Sequence, residues 1–255
     1  MDLRLTFNED VKNYDRWRPT YCDELFIDIM EYSQMEQDKK AIEIGVGTGQ
    51  ATRPFLETGC QLTAIELGKN LAEYSKVKFQ EYENFAVCNT PFEEFECPDE
   101  SIDIIYSATA FHWISDEIGY PKVYRLLKTD GTLALFWNKP FVARENDELH
   151  QKIQGIYQKY RPSTTKMIEA DTERYTTISK TIQTYGFRDV VVKFYHLTRT
   201  FSSNDYIALL NTYSDHRSMP STLKESVENE IKEAIIQFGD VLFVYDTIDL
   251  YLARK

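Results

Sequence analysis

Over the first half of the chain, short apolar runs alternate with longer stretches of helical periodicity. Segments 41–44, 62–65, 85–87, 102–106 and 132–137 are brief and β-branched or aromatic, as in Ile102-Asp103-Ile104-Ile105-Tyr106. Strands buried on both faces read this way, because neither face tolerates a regular polar position. Between them, 51–57, 69–77 and 120–127 carry the spacing of helices. Strand and helix in strict alternation predict an α/β fold, a mostly parallel sheet covered by helices on both sides.

After Trp137 the rhythm changes. Residues 145–160 form an amphipathic helix with Leu149, Ile153, Ile156, Tyr157 and Tyr160 along one face, and 172–185 is helical as well. A sixth strand is expected over 190–195, further helices over 204–210 and 223–237, and a long seventh strand over 242–253. No linker or repeat divides these parts. The expectation is one domain, 1–255, in which insertions at about 141–182 and 203–238 build a helical cap over one sheet edge. The aromatics Phe141, Tyr157 and Tyr160 are assigned to the core of that cap.

The sharpest local chemistry lies in Ile42-Glu43-Ile44-Gly45-Val46-Gly47-Thr48-Gly49-Gln50. A buried strand entering three alternating glycines and then a helix makes a turn without Cβ atoms, so a ligand can rest against backbone N–H groups. Gln50 stands where a dinucleotide fingerprint needs glycine or alanine, which weakens a nicotinamide reading. Glu66 closes the second strand, where a carboxylate can accept from both hydroxyls of a ribose at about 1.5–3 kcal/mol per charge-assisted bond. A negative group there also disfavours a 2′-phosphate.

Charge narrows the partners. The chain carries 29 basic and 41 acidic residues in 255, a formal charge of -12. Without a basic run, it repels phosphate backbones and anionic lipid, so neither nucleic acid nor a membrane is expected. Cys22, Cys60, Cys88 and Cys97 are scattered without a CxxC pair, which fits reduced thiols in a cytoplasmic protein and no metal site. No leader or membrane segment is read at Met1–Asp10 or elsewhere.

The series Glu43-x-Gly45-x-Gly47-x-Gly49, Glu66, Asp103 and Asp130-Gly131-Thr132-Leu133 resembles the class I S-adenosylmethionine-dependent methyltransferases. Ala108-Thr109-Ala110-Phe111-His112-Trp113 is similar to a small-molecule subgroup that includes trans-aconitate-methyltransferase-like proteins. Tyr14, Arg18-Pro19, Tyr21, Thr212-Tyr213-Ser214-x-His216-Arg217 and Leu252–Lys255 extend the likeness across the chain. The resemblance implies a Rossmann-like seven-stranded sheet with an antiparallel last strand, and S-adenosyl-L-methionine as cofactor. It places cofactor contacts at Glu43, Gly45, Gly47, Gly49, Glu66, Phe92 and Ser107. Two positions depart from the family. Pro91 stands where an aspartate receives the adenine amino group, leaving Thr90 or the backbone at Phe92 to read that edge. Val46 replaces a cysteine.

Methyl transfer is an in-line displacement, so the protein supplies alignment and, for acceptors of high pKa, a base. His112, just past the fourth strand, is the candidate base, with packing against the adenosine as its alternative role. Tyr14, Arg18, Trp113, Tyr213 and His216 are the candidate acceptor contacts. Arg18 is suited to a carboxylate, either of an acidic acceptor or of the cofactor's methionine tail. Three rival readings stay open: an NAD-dependent oxidoreductase, which lacks a Tyr-x-x-x-Lys pair; a nucleic-acid methyltransferase, which lacks Asn-Pro-Pro-aromatic after the fourth strand; and a non-catalytic cofactor-binding module.

Overall fold

The computed structural model describes residues 7–140, 144–162 and 172–255. Among these, seven strands form one sheet: β1 (Lys40–Ile44), β2 (Gln61–Ile65), β3 (Phe85–Cys88), β4 (Ile102–Ala108), β5 (Leu127–Pro140), β6 (Arg188–Phe201) and β7 (Leu242–Arg254). Their order is β3-β2-β1-β4-β5-β7-β6. The first five pair in parallel, and β7 runs antiparallel between β5 and β6. The expected Rossmann-like sheet with an antiparallel last strand is what the chain forms.

Period-two alternation sorts the core into two layers. Ile42, Ile44, Ile105, Leu133, Leu135 and Tyr251 face one side, where they meet Val123 and Leu126 of α5 (Asp116–Leu126). Ala41, Leu62, Ile104, Tyr106, Phe136 and Leu250 face the other. There they meet Leu25, Phe26 and Ile29 of α2 (Asp23–Ser33) and Phe55 of α3 (Thr52–Glu57). In α2, which precedes the first expected strand, Leu25, Phe26 and Ile29 follow the i, i+1, i+4 spacing of a buried helical stripe.

Boundaries differ where local signals compete. Helix α5 begins at Asp116 rather than 120, with Ser115 at the N-cap and Asp116 and Glu117 in the first turn, so Pro121 lies inside the helix. Proline fits a helix best in its first turn, and here it lies in the second. Strands β5 and β6 each run 14 residues, beyond the apolar runs that mark them, because long antiparallel pairing with β7 carries them outward.

Over the far ends of β6 and β7, α6 (Glu148–Tyr160), α8 (Ser203–Leu210), α9 (Ser214–Arg217) and α10 (Ser221–Gln237) bring together Ile153, Leu209, Val227, Ile231, Phe201 and Leu242. Helix α7 (Thr172–Thr184) packs on the sheet and not with these helices, as Ile182 and Phe187 share the cluster of Ile105 and Leu133. Phe141 lies outside the described residues.

The amino-terminal segment ties this cluster to the sheet. In α1 (Val11–Trp17), Asn13 Nδ2 donates to the Ala208 carbonyl at 2.8 Å, while Asp15 accepts from Tyr74 and Lys78 of α4 (Lys69–Lys78). Asn8 Oδ1 accepts from the Asn70 and Leu71 N–H groups and caps α4.

Candidate functional site

Strand β1 lies between β2 and β4, so the chain leaves it in opposite directions on either side, and a crevice opens beyond the carboxyl ends of these strands. A cavity of about 310 Å³ occupies it, within the range of small-molecule sites. A larger groove of about 1000 Å³ runs past Leu149, Leu197 and Phe243 at the outer edge, but it has neither the glycine loop nor Glu66 in its walls.

The three glycines serve different ends. Gly45, at φ +72°, would place a Cβ 2.4 Å from that of Ala110, so its bare backbone lets the β1 and β4 loops approach. Gly49, at φ +82°, would place one 2.2 Å from the Phe79 ring. Gly47 faces the cavity beneath Tyr14, and its N–H donates to Glu66 Oε2 at 2.8 Å. Gly68 N–H donates to the other oxygen, Oε1, at 2.8 Å. Burial raises the Glu66 carboxyl above its ordinary pKa, against the pull of these N–H groups. A carboxylate has about four acceptor positions, so Glu66 retains capacity for two hydroxyls in the cavity it lines.

Glu43 and Ser107, expected among the cofactor contacts, do not line this cavity. Glu43 is buried under the loop, where Oε2 accepts from Thr52 Oγ1 at 2.7 Å and Tyr106 OH at 3.0 Å. Burial, opposed by these two bonds and reinforced by the charge of Glu66, pushes its pKa up to about 7. Ser107 Oγ donates to the Ile44 carbonyl at 2.9 Å, fully buried between β4 and β1. Phe92 is buried yet contributes to the cavity wall with Thr90, Pro91 and Glu93.

Tyr14, Arg18, His112, Trp113 and Tyr213 also line the cavity. Arg18 is the only Lys or Arg among the described residues of the wall. Its guanidinium lies 5.0 Å from the Tyr14 ring centroid and 4.9 Å from that of Tyr213, with Phe7 at 5.7 Å. Burial works against its charge, and the oxygens of Tyr14, Tyr213 and Tyr21 outweigh it, raising its pKa. A cation framed by rings and hydroxyls is suited to an incoming anion.

His216, expected among the acceptor contacts, does not line this cavity either. It is 2% exposed, outside the cavity wall, and its Nε2 lies 2.9 Å from the Tyr157 hydroxyl. Burial holds its pKa down to about 4. Tyr213 and His216 leave the short helix α9 in different directions, and only Tyr213 reaches Arg18. Arg217 pairs with Glu9 instead.

Phe7, Thr109, Trp137 and Asp215 are among the wall and support residues not read as site residues from the sequence. Phe7 lines the cavity and meets Trp113 edge-on at 6.1 Å, and Asp215 lines it beside Tyr213. Thr109, at φ +56°, accepts from the Asn138 N–H. Trp137 Nε1 donates to His112 Nδ1 at 3.1 Å. Thr109 lies within the motif that carried the resemblance, but the role of each residue depends on a partner distant in sequence. Asp103, which carried part of the family resemblance, is at the opposite end of β4, where it accepts from the Lys40 N–H and from Lys128.

Comparison with known proteins agrees with this geometry. The methyltransferase domain matches residues 42–135, the span from β1 through most of β5. An uncharacterized methyltransferase of Schizosaccharomyces pombe is 25% identical over 234 residues, covering 90% of this chain and 87% of its own. A second protein of that yeast, an uncharacterized methyltransferase-like protein, is 27% identical over 236 residues, covering 91% and 86%. Among solved structures, phosphoethanolamine N-methyltransferase 2 of Haemonchus contortus, in complex with phosphomonomethylethanolamine and S-adenosylhomocysteine, superposes with a TM-score of 0.59. It covers all of this chain and 60% of its own, at 15% identity, a likeness of fold. Residues 42–135 thus match a methyltransferase domain, and the fold is the Rossmann-like fold of methyltransferases of known structure. Among the described residues no helix is long and apolar enough to cross a membrane, and no cluster of metal-ligating side chains occurs.

Proposed function

We propose that this chain transfers a methyl group from S-adenosyl-L-methionine to a small molecule bearing a carboxylate. The methyl donor is S-adenosyl-L-methionine, which when bound supplies an activated methyl on a sulfonium sulfur. Glu66 and the backbone of Gly45 and Gly47 would hold the nucleoside portion, and the Phe92 segment would face its base. Gly47 is already aligned with Glu66 by a hydrogen bond, so little reordering accompanies binding. Arg18 would receive a carboxylate, and Tyr14 and Tyr213 would keep that end of the cavity shielded from water.

The observation that carries this reading is Arg18, the only Lys or Arg among the described residues of the wall, framed by Tyr14 and Tyr213 in the same cavity as Glu66. The net charge of -12 supports a small acceptor over nucleic acid. The resemblance to trans-aconitate-methyltransferase-like proteins makes tricarboxylic acids the first to test.

The test measures S-adenosylhomocysteine release across a panel of mono-, di- and tricarboxylic acids, with cofactor binding followed by calorimetry. Turnover on an acid is expected. In Arg18→Met, a raised KM for the acid with unchanged cofactor affinity would assign Arg18 to the acceptor, and weakened cofactor binding would assign it to the methionine tail. Absence of turnover on every acid, with the cofactor bound, would refute the carboxylate.

A further inference from the structure

Three residues of α4 reach from that helix to two different parts of the chain. Ser75 Oγ, fully buried, donates to the Gly47 carbonyl at 2.7 Å. Lys78 Nζ donates to the Thr48 carbonyl at 2.9 Å and to Asp15 Oδ1 of α1 at 2.6 Å. Tyr74 OH donates to the other Asp15 oxygen, Oδ2, at 2.8 Å. Residues 74 and 78 are one turn apart and neighbours on the helix surface, with Ser75 beside them. One side of α4 therefore holds both the glycine loop and the amino-terminal helix.

Both held parts line the cavity, the loop through Gly45 and Gly47 and the amino-terminal segment through Phe7, Tyr14 and Arg18. Tyr14 covers Gly47, its Cε1 3.3 Å from where a Cβ would stand. Helix α1 has no buried residue, so its place depends on partly exposed contacts such as Asp15 on α4, Asn13 on α8 and Trp17 against Phe201. Elements held in this way open locally at low free-energy cost. The loop is set differently. A peptide is planar, so fixing its carbonyl also fixes the N–H across the bond, and Ser75 and Lys78 orient the two peptides that follow Gly47. Burial raises the Asp15 carboxyl, but hydrogen bonds from Lys78, Tyr74 and Thr48 outweigh it and hold its pKa below the ordinary value.

We propose that Lys78 is a positioning residue for the cofactor, joining α1 to the glycine loop so that the two open and close as one unit. The inference rests on the reading of this cavity as the S-adenosyl-L-methionine site. With α1 docked, Asp15 keeps the ammonium of Lys78 over the loop, where it receives the Thr48 carbonyl. When α1 lifts, it takes Asp15 with it. The ammonium loses its counter-charge and turns to water, and the loop relaxes at the same moment as Tyr14 uncovers Gly47. A nucleoside bound beneath Tyr14 opposes both movements, so release of S-adenosylhomocysteine follows this opening.

The first test needs no ligand. Amide hydrogen exchange of the full chain is followed at Arg18, whose N–H bonds the Tyr14 carbonyl, and at Gly49, whose N–H bonds the Val46 carbonyl. In Lys78→Met both should exchange at least about fivefold faster, the scale of a partly exposed ion pair. Asn13→Ala decides the coupling, because Asn13 docks α1 on Ala208 and touches no part of the loop. It should speed exchange at Gly49 as well as at Arg18. In the Lys78→Met background the same change should act on Arg18 alone. A Gly49 rate unmoved by Asn13→Ala in the otherwise wild-type chain would overturn the proposal.

The second test follows S-adenosylhomocysteine dissociation by stopped-flow tryptophan fluorescence. Lys78→Met should speed it about fivefold to tenfold, since affinity changes within one site fall mostly on the off-rate. Lys78→Arg keeps a cation within reach of both oxygens and should restore most of the wild-type rate. An unchanged dissociation rate in Lys78→Met, with α1 exchanging faster, would remove Lys78 from cofactor positioning. Should Lys78→Met not fold, Asn13→Ala carries the same comparison, with faster dissociation expected and an unchanged rate counting against the proposal. Failure of the wild type to bind S-adenosylhomocysteine would refute the cofactor reading, and the exchange rates at Gly49 would still decide the coupling.

Discussion

The hydroxyl of Tyr21 lies 2.9 Å from Oγ1 of Thr109, a β-branched residue held at φ +56° where β4 enters the cavity. Such a backbone angle costs a non-glycine residue of this shape about 1–3 kcal/mol and persists only where its surroundings enforce it. Here the enforcement is threefold. Thr109 N–H donates to the Phe136 carbonyl, its Oγ1 accepts from the Asn138 N–H, and Tyr21 completes the set. The strain turns the chain so that Ala110 can approach Gly45 and His112 can reach the cavity.

Thr109→Val preserves shape and removes the hydroxyl, so the Asn138 N–H loses its acceptor. We expect about 1–3 kcal/mol of destabilisation in chemical denaturation, with a lower kcat from the displaced His112 turn. Tyr21→Phe, which loses only the outer bond, should cost less on both counts.

Glu66→Ala removes the acceptor of two backbone N–H groups along with the proposed ribose ligand. Cofactor affinity measured by calorimetry should fall by at least about 100-fold, equivalent to about 3 kcal/mol, while far-UV circular dichroism stays unchanged. Unaltered affinity would remove Glu66 from the cofactor site.

Gly49→Ala confronts both a positive φ and the Phe79 ring, with the new Cβ 2.2 Å from Cε2. Destabilisation of about 2 kcal/mol or more is expected. Phe79→Leu in the same chain should recover part of the loss, because it relieves the clash but not the backbone strain. A double-mutant cycle separates the two.

Glu43 and His216 make stability depend on pH with opposite signs. Folding raises the Glu43 carboxyl from 4.5 to about 7. The folded state then binds the extra proton between these values, so stability is greatest below pH 4.5 and falls as pH rises to about 7. Glu43→Gln should remove this loss, worth about 3 kcal/mol above pH 8. His216 is lowered from 6.5 to about 4. Its contribution is complete above pH 6.5 and is lost as pH falls toward 4. His216→Gln should flatten that acid limb in urea titrations run at stepped pH.

Much of the scaffold was legible from local pattern. The apolar runs of β1, β2 and β4 mark doubly covered strands because successive side chains point to opposite faces and both faces must then be apolar. The glycine loop was legible because φ +72° and +82° at Gly45 and Gly49 favour a residue without Cβ. Glu66 could be placed because a strand end and the following loop are adjacent in sequence. Side-chain direction at the site was less accessible. Ser107 and Glu43 have the right chemistry in the right segment, yet each is spent on an internal partner.

The sequence by itself determined the order of strands and helices, the tight turn after β1 and the presence of an acid at the end of β2. Each depends on residues within a few positions of one another, through periodicity, propensity and steric limits on φ. Tertiary structure alone decided which side chains meet. Trp137 reaches His112 because Phe136 pairs with Ala108 across β4 and β5. Arg18 meets Tyr213 because α1 bridges α4 and α8. His216 turns toward Tyr157 because its helix packs against α6. Register and packing angle are properties of the assembled sheet and its cap, and no local pattern encodes them.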